Sequence, residues 1–268
     1  MSVALGIDVG GTKIAAGIVD LGTGTVLERR QTPTRPERGG AAVLGDCADL
    51  VGELGHGRIP VGIGLCELVD LAGRPTSADT IDWRDLDPAA AIDAPSVIIE
   101  SDLRAAALAE ARFGAGAGVS SFLFAIVGTG ASACLVLDGR PYAGGRGEAI
   151  VLGAPPVELV ASGSALTRAA GLERAEDVLA DPAHTALVDA AASALGGVLA
   201  VLANALDPSL VVLGGGLGTE PVFRERVARA CQSLLAYPRT PPLPVVSSRL
   251  APDGGVVGAA LVALAEEG

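Results

Sequence analysis

Apolar and polar positions alternate along this chain in a pattern that predicts mixed α/β structure. Val3 to Asp8 and Ile14 to Val19 are short runs rich in β-branched residues, separated by Gly10-Gly11-Thr12, and they read as a β-hairpin. A second turn, Leu21-Gly22-Thr23-Gly24, leads into Val26 to Gln31 as a third antiparallel strand before a Pro33 to Gly40 loop. A helix is expected from about Ala41 to Leu54. Val61 to Leu65 and Ser96 to Glu100 then read as strands buried on both faces, because they are continuously apolar rather than alternating. The helix Leu103 to Arg112 closes this half.

The pattern partly repeats. Apolar Ser121 to Val127, the turn Gly128-Thr129-Gly130 and a strand Ser132 to Leu137 form a second strand-turn-strand unit. Helices follow at roughly Gly163 to Ala170 and Thr185 to Ala205, then a strand Leu210 to Leu213, the triple glycine Gly214-Gly215-Gly216 and a closing helix Gly254 to Glu266. Two halves that each open on a hairpin with a Gly-Thr turn predict a duplicated phosphate-binding unit facing a shared cleft. A length of 268 residues also suits two lobes. The expected division is 1–117 and 118–253, with the helix 254–268 joining the first lobe. Leu187 to Leu206 approaches membrane-spanning length, but Asp189, Ser193, Gly196, Gly197 and Asn204 interrupt it, so it reads as a buried helix of a soluble protein.

Charge and composition narrow the function. A formal net charge of −12 argues against nucleic acid as partner, since phosphate backbones are bound through many Lys and Arg contacts. Lys13 is the one lysine, and it adjoins the first glycine turn. The four cysteines, Cys47, Cys66, Cys134 and Cys231, have no metal-site or redox spacing and read as reduced core residues of a cytoplasmic protein. The short apolar opening meets Asp8 at once and does not resemble a secretory signal.

The turns suit a nucleotide. In Asp8-Val9-Gly10-Gly11-Thr12-Lys13 a strand-end carboxylate precedes two residues without side chains and a hydroxyl, so backbone amides can approach phosphate closely. Asp8 would then face the magnesium of a Mg-ATP complex, most simply through water. An ordinary Gly-Gly hairpin gives the same spacing. Gly128-Thr129-Gly130 repeats the arrangement, and Gly214-Gly215-Gly216 after a strand lets a flat adenine or ribose lie against bare backbone.

Asp102 follows a buried strand and precedes a helix. It can cap that helix, or it can accept a hydroxyl proton in phosphoryl transfer, where the protein chiefly positions groups and stabilises charge. Glu148, in a glycine-rich loop, and Glu158 are carboxylates able to accept from polyol hydroxyls, or plain solvated charges.

Taken together, these residues resemble the ROK family of bacterial sugar kinases and repressors, within the actin-like ATPase (ribonuclease H-like) superfamily. Asp8 to Lys13 is similar to the family's first phosphate motif, Gly128 to Gly130 to its second, and Asp207 to Gly216 to its adenosine motif. Asp102, within Glu100-Ser101-Asp102-Leu103-Arg104, stands where family kinases carry the catalytic base. The resemblance implies a two-lobed kinase using Mg-ATP, with dimers by analogy.

Departures lie on the sugar side. Family glucokinases carry there a Pro-Gly turn, two asparagines, a glutamate, a histidine and a second glutamate. In this chain Cys66-Glu67 replaces the Pro-Gly turn, Asp79 and Ser101 replace the asparagines, and Val151 replaces the histidine. Only Glu148 and Glu158 remain. The cysteine-rich zinc loop is replaced by Leu152-Gly153-Ala154-Pro155-Pro156, so no zinc is expected. Intact nucleotide motifs beside altered sugar motifs imply a kinase for an amino sugar or a C7 cyclitol rather than glucose, read by Glu67, Asp79, Ser101, Glu148 and Glu158. A non-catalytic sugar sensor is the alternative, against which the retained Asp102 speaks. An iron-sulfur ATPase activator would need suitably placed cysteines. A repressor would carry an N-terminal helix-turn-helix, whereas this chain begins almost directly with a strand.

Overall fold

The computed structural model describes residues 2–55, 58–150, 157–237 and 240–264. The chain begins with strands β1 (Val3–Val9), β2 (Lys13–Asp20) and β3 (Thr25–Pro33), then helix α1 (Gly40–Glu53), β4 (Val61–Leu65), a short α2 (Pro88–Ala91), β5 (Val97–Ser101) and α3 (Asp102–Phe113). It continues with β6 (Ser121–Val127), β7 (Ala131–Leu137), β8 (Arg140–Pro141), α4 (Glu158–Ala161), α5 (Gly163–Ala170), α6 (Ala175–Ala180) and α7 (Thr185–Leu206). The last elements are β9 (Leu210–Gly214), α8 (Gly215–Thr219), α9 (Pro221–Ser233), β10 (Val245–Ser247) and α10 (Gly254–Val262).

Two compact units result. Unit 1 comprises Met1–Phe113, Ala143–Ala149 and Pro252–Gly268; unit 2 comprises Gly114–Tyr142 and Ile150–Ala251. The sequence-based division differs by a few residues at its boundaries and, inside the second lobe, at residues 143–149, which cluster with unit 1.

Each unit is built on a five-stranded sheet of one plan. The order is β3-β2-β1-β4-β5 in unit 1 and β8-β7-β6-β9-β10 in unit 2. In both, an antiparallel hairpin is extended by parallel strands: β1 pairs with β2 antiparallel and β4 parallel, and β6 likewise pairs with β7 and β9. The predicted hairpins form because each glycine turn separates runs of β-branched and apolar residues whose side chains are buried.

In unit 1, Leu5, Ile7, Ile63 and Leu65 form a core with Val43, Cys47, Leu50 and Val51 of α1 and with Trp83. The helix α10 lies on the same sheet where Gly6 and Gly62 carry no side chain to hold it off. In unit 2, α7 buries Val188, Ala192, Leu195, Leu199 and Ala203. It is part of one helix among the described residues long and apolar enough to cross a membrane, yet its apolar stripe packs in the unit's core. Helix α9, absent from the sequence reading, packs beside α7 through Phe223, Val227 and Cys231, spaced four residues apart on one face. Burying Phe223 alone is worth about 3–5 kcal/mol against alanine.

Candidate active site

Unit 1 gathers carboxylates at the ends of adjacent parallel strands. The register pairs Asp8 of β1 with Gly64 of β4, and Gly64 with Glu100 of β5, so β1, β4 and β5 end nearly in step. Asp8 is therefore presented next to the start of α3, where Asp102 is the first helical residue. A Cβ on Gly64 would stand 3.2 Å from Asp102 Cα, so the bare glycine lets the helix start close to the sheet. Asp102 Oδ1 accepts from the Leu103 amide at 2.6 Å. Burial, reinforced by the like charges of Asp8 and Glu67, pushes the Asp102 carboxyl up to about 8. Asp8 is pushed up to about 6 by burial, which outweighs the opposing pull of Lys13 and Arg29.

The first glycine turn adjoins Asp8. Gly10 donates its amide to the Lys13 carbonyl at 3.0 Å, closing the bend. Thr34, fully buried and missed in the sequence reading, holds that bend from behind: its Oγ1 donates to the Gly10 carbonyl at 2.6 Å and its amide to the Thr12 carbonyl at 3.1 Å. Thr12 and Lys13 themselves are exposed.

Of the residues expected to read the acceptor, Glu67 requires a correction. It is 3 % exposed, and its carboxylate is filled from inside the chain. Oε2 accepts from Ser77 Oγ and, at 2.9 Å, from the Asp79 amide, while Oε1 accepts from the Thr80 and Ile81 amides, each at 2.7 Å. With both oxygens doubly occupied, Glu67 has no acceptor capacity left for a ligand hydroxyl. Asp79 is exposed, and its carboxylate makes no hydrogen bond or ion pair among the described residues. Ser101 is buried at the end of β5.

Glu148 belongs to the 143–149 segment of unit 1, accepting from Thr76 Oγ1 at 3.1 Å and pairing with Arg146 at 3.0 Å. That segment is fixed by Arg104, which is 2 % exposed and was also missed from sequence. The Arg104 guanidinium donates to Glu100, to the Gly147 carbonyl and, at 2.8 Å, to the Val69 carbonyl. Glu158 lies in unit 2 instead, its Oε1 against the bare Cα of Gly130.

Cys66 packs at the margin of the unit 1 core, as a free thiol. It is partly exposed, and its thiol is pushed up to about 12, first by burial and then by the charges of Asp102 and Glu67. Val151 and the 152–156 stretch standing in place of a zinc loop lie outside the described residues. Among the described residues no group of three or more His, Cys, Asp or Glu is placed to hold a metal ion.

Unit 2 assembles the other two glycine motifs side by side. Gly215 has φ +78°, and a Cβ there would stand 2.5 Å from the Val127 carbonyl oxygen, so only glycine fits. This brings Gly214 to Gly216 next to the turn Gly128 to Gly130. The start of α5 meets the same turn: the Gly163 amide donates to the Gly128 carbonyl at 2.7 Å and Ser164 Oγ to the Thr129 carbonyl at 2.6 Å.

A doubled sheet of this order, with glycine turns at the strand ends, is the two-unit architecture of actin-like ATPases, here in its ribonuclease H-like form. The ROK family model matches residues 4–160 and 156–266. The glucokinase of Streptomyces coelicolor is 30 % identical over 97 % of both chains, and the N-acetylmannosamine kinase of Yersinia pseudotuberculosis is 29 % identical over 99 % of both. Among solved structures, a ROK family glucokinase from Streptomyces griseus in complex with glucose and AMPPNP has a TM-score of 0.85 at 26 % identity. It matches 97 % of this chain and 99 % of its own. The chain belongs to the ROK family.

Proposed function

We propose that this ATP-dependent phosphotransferase moves the γ-phosphoryl group of ATP to a hydroxyl of a sugar or sugar-like acceptor, an amino sugar or a C7 cyclitol in preference to glucose. Relatives named as glucokinase and N-acetylmannosamine kinase support the sugar class. The observation that carries the reading is the pair of carboxylates Asp8, near the end of β1, and Asp102, directly after β5 at the start of α3, with the glycine turn Gly10 to Thr12 just beyond the first.

These residues fit a magnesium nucleotide. Asp8 would hold the ion through water, and the ion would neutralise phosphate charge. In unit 1 the amides of Gly10 to Lys13 would meet phosphate; in unit 2 those of Gly128 to Gly130 would do the same, and Gly214 to Gly216 would take the adenosine. In its ionised form Asp102 takes the proton of the acceptor hydroxyl as the hydroxyl oxygen bonds to the γ-phosphorus. The bond from that phosphorus to the bridging oxygen breaks, and ADP leaves.

Asp79 supports the acceptor preference. An exposed carboxylate without an internal partner complements an ammonium group or added hydroxyls, where the family's glucokinases offer an amide. Ser101, Glu148 and Glu158 are assigned to the remaining hydroxyls. ADP release measured with glucose, glucosamine, N-acetylmannosamine and a C7 cyclitol tests the reading. Glucose as the fastest acceptor defeats the preference; ATP bound with no acceptor phosphorylated returns the chain to a sensing role.

A further inference from the structure

We infer that Glu67 is a positioning residue for acceptor specificity: its buried carboxylate clamps the 77–81 loop and thereby fixes Asp79 without itself touching the acceptor. The inference rests on the sugar-kinase reading for the identity of the ligand, but the clamp is a property of unit 1 alone.

Three observations carry it. First, the three consecutive amides of residues 79, 80 and 81 and the Ser77 hydroxyl all converge on one carboxylate. Successive amides turned to one point form a small anion-binding concavity, filled here by a side chain from 12 to 14 residues upstream. Second, the stretch between is closed on itself, so the clamp acts on a defined loop. Ser77 Oγ accepts from the Leu68 amide at 2.9 Å, the Thr76 amide donates to the Leu68 carbonyl at 2.8 Å, and Val69 pairs with Pro75. Third, the clamped residues reach the catalytic face of unit 1. Thr80 Cγ2 would be 3.3 Å from a Cβ on Gly11, in the first phosphate turn, and the Thr80 hydroxyl meets Cys66, whose thiol lies within the field of Asp102. Asp79 thus sits on backbone tied to β4 at one side and to the phosphate turn at the other.

An internal carboxylate with four donors is costly to disturb, because each removed acceptor leaves a donor facing nothing. In Glu67→Gln two of the four donors meet an amide NH2 instead of an oxygen. Expected in that variant is faster hydrogen exchange at the amides of 79–81. The KM for the fastest acceptor among glucose, glucosamine, N-acetylmannosamine and a C7 cyclitol should rise at least about tenfold, with the KM for ATP within about twofold of the parent. Asp79→Asn should raise the same acceptor KM without altering exchange, and the double variant should be no worse than Glu67→Gln alone, since both act through one carboxylate. Ser77→Ala, which keeps the carboxylate and removes one donor, should move both readouts in the same direction by less, and serves if Glu67→Gln does not fold. Multiplying effects of the two substitutions, or an ATP KM that rises as much as the acceptor KM, overturns the inference. Should no acceptor on the panel be phosphorylated, the sugar-kinase reading fails by itself, and retained protection of residues 79–81 in Glu67→Gln or Ser77→Ala overturns the clamp.

Discussion

Gly255 lies directly against Asp8: a Cβ on it would stand 2.5 Å from Asp8 Cγ, so the carboxylate and the first turn of α10 share their space only because residue 255 has no side chain. The sheet end and the helix start are therefore fitted to each other around one carboxylate. Gly255→Ala must displace one of them. A shift of that size at a positioning group costs about 10²-fold in kcat, and weaker Mg-ATP binding by calorimetry should accompany it. A variant with normal folding and parental turnover removes Asp8 from the nucleotide site.

Asp102→Asn keeps the shape and removes the proton acceptor. Turnover should fall about 10²- to 10⁴-fold, with calorimetric binding of ATP close to that of the parent. Near-parental turnover would take Asp102 out of the base role.

The same two carboxylates set a pH dependence of stability. Folding raises Asp102 from 3.8 to about 8 and Asp8 from 3.8 to about 6. The folded chain therefore binds more protons than the unfolded one from about pH 4 to about pH 8, and its stability falls as pH rises through that window. Below the window both states are protonated; above it the full cost of the buried charges remains. Asp102→Asn removes the larger part of this loss, so its melting temperature should exceed the parent's by a margin that widens from about pH 5 to about pH 9. Parallel melting curves would show that Asp102 is not held protonated by its surroundings.

Gly215→Ala places a methyl group against the Val127 carbonyl at a position with φ +78°. Loss of ADP affinity is expected, with sugar binding measured separately left unchanged. Equal loss of both would mean that the substitution unfolds unit 2 rather than the adenosine motif.

Arg104→Lys keeps one positive charge but cannot span Glu100, Gly147 and Val69 together. An unmet buried carbonyl costs about 1–3 kcal/mol, which lowers the melting temperature by roughly 2–4 °C per kcal/mol in a chain of this order of size. Because Gly147 precedes Glu148, the acceptor KM should rise more than the ATP KM. A fall in melting temperature with an unchanged ratio of the two would confine Arg104 to stability.

The sheets and the glycine turns were legible because their signals are local. Runs such as Val61 to Leu65 and Leu210 to Leu213 are apolar throughout, and the turns between paired strands lie within a few residues of their partners. Helix α9 went unread: Pro221 followed by Phe223, Val227 and Cys231 marks it, but three arginines between them dilute the stripe. The supports of the site were not legible, because their partners are distant. Arg104 meets carbonyls 35 and 43 residues away, and Glu67 meets amides of a loop whose own sequence carries no mark of it. Glu67 looked like a ligand for a sound reason: an acidic side chain stands where related kinases have a Pro-Gly turn. Its burial and its four donors exist only once the loop has folded back.

The 143–149 segment has a practical meaning for anyone dividing the molecule. Neither half of the gene product is a contiguous stretch: a recombinant piece ending near residue 117 would lack both the strip bearing Glu148 and the helix that abuts Asp8. Excising the rest at one point would orphan the Arg104 guanidinium from Gly147. Exchange of unit 1 between relatives must therefore transplant three separate pieces of chain at once, or it will yield a first glycine turn with nothing to seat Asp8.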